Sequence, residues 1–91
     1  MTYTVVYHPA VVREDIPALG AMTKKQIRLA IEKKLTTYPD VFGKPLRQSL
    51  KGYRKLRVGD WRVIFRIENK IVKIFIIGHR SMVYKEDDRR W

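Results

Sequence analysis

Residues Gly52–Ile77 read GYRKLRVGDWRVIFRIENKIVKIFII, and the alternation inside this stretch sets the architecture expected of the chain. Three runs, Gly52–Val58, Trp61–Ile67 and Ile71–Ile77, are rich in β-branched and aromatic residues and read as strands. Gly59-Asp60 is a two-residue hairpin signal, with Gly where a positive φ is required. With Val58 and Trp61 flanking that turn, Arg57 stands opposite Arg62, Leu56 opposite Val63 and Lys55 opposite Ile64. A second tight turn at Asn69-Lys70 sets Arg62 opposite Ile77, Ile64 opposite Phe75 and Arg66 opposite Lys73.

These registers sort the side chains by face. Leu56, Val58, Trp61, Val63, Phe65, Ile67, Val72, Ile74 and Ile76 fall on one side with no polar residue among them. Arg54 is the misfit of that side, and is expected at the sheet margin with its head in water. The other side takes Tyr53, Lys55, Arg57, Arg62, Ile64, Arg66, Lys73, Phe75 and Ile77. A slip of one residue would drive several charges into the core, which excludes it. Helices must therefore cover the apolar side and leave the basic side open.

Upstream, Thr2–Tyr7 reads as a first strand ended by His8-Pro9. Val12, Ile16 and Leu19 recur at helical spacing, with Pro17 and Gly20 limiting that short helix. Thr23 and Gln26 have capping-box spacing and open a helix to about Thr37, with Ile27, Ala30, Ile31, Leu35 and Tyr38 as its apolar stripe. Pro39 closes it, and Phe42–Pro45 is a turn-rich link. The expected fold is one α+β domain over residues 1–91. Two helices from the N-terminal half pack on one face of a small, mainly antiparallel sheet, in the order β-α-α-β-β-β. The tail Tyr84–Trp91 reads as a charged, frayed helical end.

Charge says more than composition does. The 91 residues carry 20 Lys/Arg and 9 Asp/Glu, a net charge of +11. Residues 1–43 hold a net of +2 and residues 44–91 a net of +9, so the field is concentrated where the basic strands lie. Such a field favours a polyanionic partner, since neutralised phosphates release condensed counterions. There is no cysteine, so neither disulfides nor thiolate metal sites arise, and a reducing cytoplasm is expected. No apolar run approaches a membrane span, and no signal-peptide layout is present at the N-terminus, so no membrane role is expected.

His8 and His79 without a helical HExxH pattern give no basis for a metal site, and no Gly-rich phosphate loop or hydrolase triad signature is present. No cofactor is expected. What remains is Lys and Arg beside His79 and Tyr84. RNA carries its own nucleophile, the 2′-hydroxyl next to each phosphodiester. Guanidinium groups can stabilise charge on the transferring phosphate, a Lys can serve as base, and a Tyr or His can protonate the leaving oxygen. Tyr53, Phe75 or Tyr84 could stack a base. The same basic face, with Ile64, Phe75 and Ile77 exposed on it, would equally suit a protein partner.

Pro45–Phe65 (PLRQSLKGYRKLRVGDWRVIF), Gly78-His79-Arg80 and Val83-Tyr84 resemble the RelE/ParE toxin superfamily across essentially the whole chain. The resemblance implies a toxin of a type II toxin–antitoxin system. RelE-like members are ribosome-associated mRNA endonucleases that work through basic residues and a tyrosine without metal, whereas ParE-like members poison DNA gyrase. By the RelE-like pattern, Lys55, Arg62, Arg80 and Tyr84 match catalytic positions, with His79 available for proton transfer. Arg57, Arg54, Arg66, Lys73, Tyr53 and Phe75 are then expected to contact RNA. The sequence departs from the pattern where a first lysine is replaced by Tyr53, and where Tyr84 follows Arg80 at a shorter spacing. The resemblance also implies an acidic cognate antitoxin bound in a hetero-oligomer, and mRNA on the ribosome as substrate. A gyrase-directed toxin, or a degenerate member that only binds antitoxin, are the alternatives.

Overall fold

The computed structural model describes residues 2–46 and 52–83. Strand β1 (Thr4–Tyr7) leads into α1, a wide helical turn over Val11–Asp15, and then α2 (Ala21–Ala30), which runs on through Ile31–Leu35. A short α3 (Pro39–Phe42) precedes β2 (Lys44–Pro45), β3 (Arg54–Val58), β4 (Trp61–Glu68) and β5 (Ile71–His79). The five strands form one sheet in the order β1-β5-β4-β3-β2. β2 through β5 pair antiparallel, while β1 runs parallel to β5.

Burial of one apolar side of the sheet beneath the helices drives this arrangement. Val11, Ile27, Ile31 and Leu35 from the helices meet Leu56, Val63, Phe65, Val72, Ile74 and Ile77 from the sheet. Each fully buried aliphatic or aromatic side chain contributes about 1.5–3 kcal/mol. In the N-terminal half the helical details differ from the sequence reading. Val11, not Val12, enters the core, and Val12 and Tyr38 are exposed. α2 begins at Ala21 with Gly20 as its N-cap, and no side chain caps it. Thr23 thus lies inside the helix, because the bond from Lys24 N–H to Gly20 O already closes the first turn (2.8 Å). The link after Phe42 also gains a strand: Lys44 pairs with Lys55 and Pro45 with Arg54. A proline is tolerated there because β2 is an edge.

The β3–β4 register is the one expected, with Lys55 opposite Ile64 and Arg57 opposite Arg62. Gly59 (φ 60°) opens that turn and Asn69 (φ 57°) opens the next. Arg66 also pairs with Lys73 as expected, but the β4–β5 register then shifts between Ile64 and Phe65. Ile64 faces Ile76 rather than Phe75, and Arg62 faces Gly78 rather than Ile77. A β-bulge on β5 is responsible, since one extra residue is inserted opposite β4. It exchanges two side chains between faces: Ile77 enters the main core and Ile76 the opposite side.

The basic side is therefore not uniformly open. Ile64, Ile76 and Val83 are fully buried there as a second small cluster, flanked by Leu46, Tyr53 and Phe75. The chain after β5 turns back to supply Val83, with the Met82 and Val83 N–H groups both donating to His79 O at 2.9 Å. Ile64 and Ile77 are accordingly buried, contrary to their expected exposure, while Phe75 is half-buried.

Asp15 holds the bulged strand from the other edge. β1 accompanies β5 only as far as Ile74. Beyond it, the buried Asp15 carboxylate accepts the Ile77 N–H through Oδ2 at 3.0 Å. Asp15→Ala would leave that buried N–H without its acceptor and is expected to destabilise the fold by about 1–3 kcal/mol. Urea titration of the two proteins measures it, and an unchanged midpoint would refute the assignment.

Candidate functional site

The basic side has two ends, separated by the buried Ile64–Ile76–Val83 cluster. At the first end Lys55, Arg62, His79, Arg80 and Ser81 line one shallow depression of about 330 Å³. A smaller adjoining hollow is lined by Phe42, Lys44, Lys55, Arg57 and Arg62. Lys55 and Arg62 belong to both, so the two form one cationic surface. Arg57 directly faces Arg62 and Lys44 directly faces Lys55 across the strands. Like charges directly opposed weaken a sheet. Their concentration at one end makes a strongly positive local field.

The hairpin turn orients two of the three arginines of this surface, Arg62 and Arg80. Arg62 Nη1 donates to the Gly59 and Trp61 carbonyl oxygens, each at 2.9 Å. Arg80 N–H donates to Asp60 O at 2.8 Å, and Arg80 Nε lies 3.5 Å from Asp60 Oδ1. Both side chains of the Arg80–Asp60 pair are more than 60% exposed (63% and 69%), so the contact adds little stability and serves orientation. His79 ends β5 opposite Trp61, whose ring it meets edge-on at 5.4 Å. Its Nδ1 lies 3.2 Å from the Ser81 N–H and 2.8 Å from Ser81 Oγ. The backbone N–H can only donate, so in the neutral ring Nδ1 accepts and the proton sits on Nε2.

At the second end, Tyr53, Arg66, Lys73 and Phe75 line a separate hollow with Tyr7 and His8. Glu68 Oε2 lies 3.3 Å from Arg66 Nε and Glu68 Oε1 lies 3.1 Å from Lys73 Nζ, so one carboxylate contacts both cations and offsets half of their charge. The Tyr7 phenol is raised above its usual pKa of 10.0 by burial, and secondarily by Glu32.

The structure thus brings Lys55, Arg57, Arg62, His79 and Arg80 together and sets Tyr53, Arg66, Lys73 and Phe75 apart from them. Arg54 joins neither group. Its Nη1 donates to Gly43 O at 2.9 Å and to Asp40 O at 3.3 Å, which ties β3 to the end of α3. Tyr84 and the rest of the tail lie outside the described residues. Sequence reading missed Lys44, whose strand has only two residues, and Ser81, whose sole signal is its place two residues after His79. Among the described residues no three His, Cys, Asp or Glu side chains converge as a metal site, and no helix is long and apolar enough to cross a membrane.

The comparisons with known proteins agree with this architecture. Residues 3–84 match the family described as ParE toxin of the type II toxin–antitoxin system parDE. The chain is 32% identical over 84 residues to Toxin RelE of Mycobacterium tuberculosis, covering 87% of each protein. Among solved structures, a toxin–antitoxin RelB–RelE complex from Mycobacterium tuberculosis matches with a TM-score of 0.78 at 29% identity, over 88% of this chain and 100% of that one. The archaeal RelE–RelB complex from Pyrococcus horikoshii matches with a TM-score of 0.62 at 24% identity, over 91% and 100%. Free YafQ of E. coli, at 23% identity and a TM-score of 0.63 over 90% and 98%, shares the fold. With the family matching nearly end to end, this chain belongs to the ParE toxin family of type II toxin–antitoxin systems, within the RelE/ParE superfamily.

Proposed function

We propose that this toxin is an mRNA endonuclease of the RelE kind, cutting messages on the ribosome in the cytoplasm. The observation that carries the reading is the single depression shared by Lys55, Arg62, His79 and Arg80. In the reaction, the 2′-oxygen forms a new bond to phosphorus while the bond from phosphorus to the 5′-oxygen breaks. The 2′-hydroxyl proton passes to the neutral amine of Lys55 as base and a second proton is delivered to the 5′-oxygen. The products are a 2′,3′-cyclic phosphate, open to hydrolysis to a 3′-phosphate, and a 5′-hydroxyl. Arg62 and Arg80 stabilise the extra charge on the phosphate, and Lys55 and Arg57 position the backbone on either side of it.

His79 serves as the proton donor, with Tyr84 as the other candidate for that role. When the imidazole is protonated at both nitrogens, the exposed Ser81 N–H gives up its bond to Nδ1 for water and Ser81 Oγ turns from donor to acceptor there, leaving Nε2–H for the 5′-oxygen. A cognate acidic antitoxin restrains the toxin in a hetero-oligomer, and its negative charge complements the net +11 of this chain.

Incubating the purified chain with translating ribosomes and mapping RNA ends tests the reading. Message fragments with 5′-hydroxyl ends are expected. Intact message, together with double-strand DNA breaks after induction in cells, would instead identify a gyrase poison.

A further inference from the structure

The second hollow of the basic side, about 380 Å³, is unused by the chemistry above. Its floor is aromatic. Phe75 meets the His8 ring edge-on at 5.2 Å and 82°, and the Tyr53 ring at 5.2 Å with a 41° tilt. The Arg66 guanidinium lies 5.9 Å from the centre of the Tyr53 ring. Phe75 stands at the β5 bulge, the kind of irregularity that re-aims a side chain beside a functional surface.

Charge distinguishes this hollow from the first. Glu68 bridges Arg66 and Lys73 and leaves the three groups with one net positive charge, whereas Lys44, Lys55, Arg57, Arg62 and Arg80 gather at the first end. The second hollow offers ring faces and a rim of polar groups of both signs. An unpaired nucleobase matches that chemistry, with an apolar face to stack and donors and acceptors around its edge. Position agrees as well. Arg66 follows Arg62 by four residues on β4 and faces the same side, a distance of about 13 Å, or roughly two nucleotides of a single strand.

We propose that the hollow formed by His8, Tyr53, Arg66, Lys73 and Phe75 is a stacking subsite for one unpaired base of the bound RNA, about two nucleotides from the phosphate held by Arg62. The inference rests on the endonuclease reading for the identity of its ligand and adds where the strand runs. Because stacking carries the contact, the subsite contributes affinity that salt does not screen.

The test uses the full chain and a single-stranded RNA with a 2′-deoxy sugar at the cleavage nucleotide, which cannot be cut. A fluorescent 2-aminopurine is placed at each position in turn. Quenching is expected to be strongest about two nucleotides from the deoxy sugar. Tyr53→Leu should abolish that quenching and weaken binding by about 5- to 100-fold with an unchanged salt slope. Phe75→Leu should do the same while keeping the apolar contacts beneath it. Arg62→Ala should instead reduce the salt slope by about one.

Wild-type quenching and affinity in both leucine variants would overturn the subsite while leaving the endonuclease reading intact. Weakened capture of an acidic antitoxin peptide by those variants, with RNA binding unaltered, would overturn it in favour of a protein contact. An RNA that fails to bind the wild-type chain under any salt condition would overturn the subsite, while the endonuclease reading stands or falls on the message ends formed with translating ribosomes.

Discussion

Arg62→Ala combined with Arg80→Ala is expected to lower message cleavage by about 10³-fold or more and to abolish growth arrest on induction. Both guanidiniums sit in one depression and are set by one turn, Arg62 through Gly59 O and Arg80 through Asp60. Removing either weakens the same phosphate site. The two losses are therefore expected to be less than multiplicative, as for groups that act as a unit. His79→Gln should act on proton transfer rather than on phosphate binding, slowing cleavage by about 10²–10⁴-fold with RNA affinity near wild type. Neither arginine is part of the buried core, so thermal unfolding and antitoxin capture serve as controls for folding. A double variant that remains fully toxic with intact folding would refute the endonuclease.

The largest stability effect is expected at Gly43. Its φ of −94° is ordinary, so the constraint there is space rather than backbone freedom. An added Cβ would stand 2.2 Å from Phe65 Cζ and 2.7 Å from Phe65 Cε1, and 3.0 Å from Pro39 O. Phe65 is fully buried and has no open side to swing toward. Gly43→Ala should cost about 2–3 kcal/mol, a fall in melting temperature of about 10–20 °C for a domain of this size. Phe65→Leu removes the atoms in conflict, so Gly43→Ala should cost far less in that background. Strict additivity of the two changes in calorimetry would show that the contact is not the cause.

The β3–β4 register was legible because charged and apolar residues alternate from Leu56 to Val63 around a Gly-Asp turn that pins the pairing, whereas the place of β1 beside β5 and the two-residue β2 carry no such signal. The bulge was not legible, and the reason is local. Ile74, Phe75, Ile76 and Ile77 are all apolar, so alternation carries no register information where the shift occurs. That silence explains the misplaced Ile76 and Ile77 and the expectation of an open face around Ile64. At the site, Lys55, Arg57 and Arg62 could be grouped from pairing alone, and Arg80 and His79 from resemblance. The sequence reading places Arg54 among the RNA contacts and carries no sign of its carbonyl partners at Asp40 and Gly43, which come from a different part of the chain. The Thr23 capping box fits the sequence as well as Gly20 does, and the buried stripe at Ile27, Ile31 and Leu35 is the same for either start.

The small Ile64–Ile76–Val83 cluster gives harm and folding separate foundations. The main core beneath the helices does not include Val83, whereas His79, Arg80 and Ser81 lie on the turn that Val83 pins down. Gly78 leaves just enough room for that turn, since a Cβ there would approach Val83 Cβ to 3.3 Å. A lineage that loses its antidote thus has a short evolutionary route to survival. Polar substitutions at Val83, or bulk at Gly78, would loosen the turn that carries His79, Arg80 and Ser81 and leave a folded chain that the cell can keep.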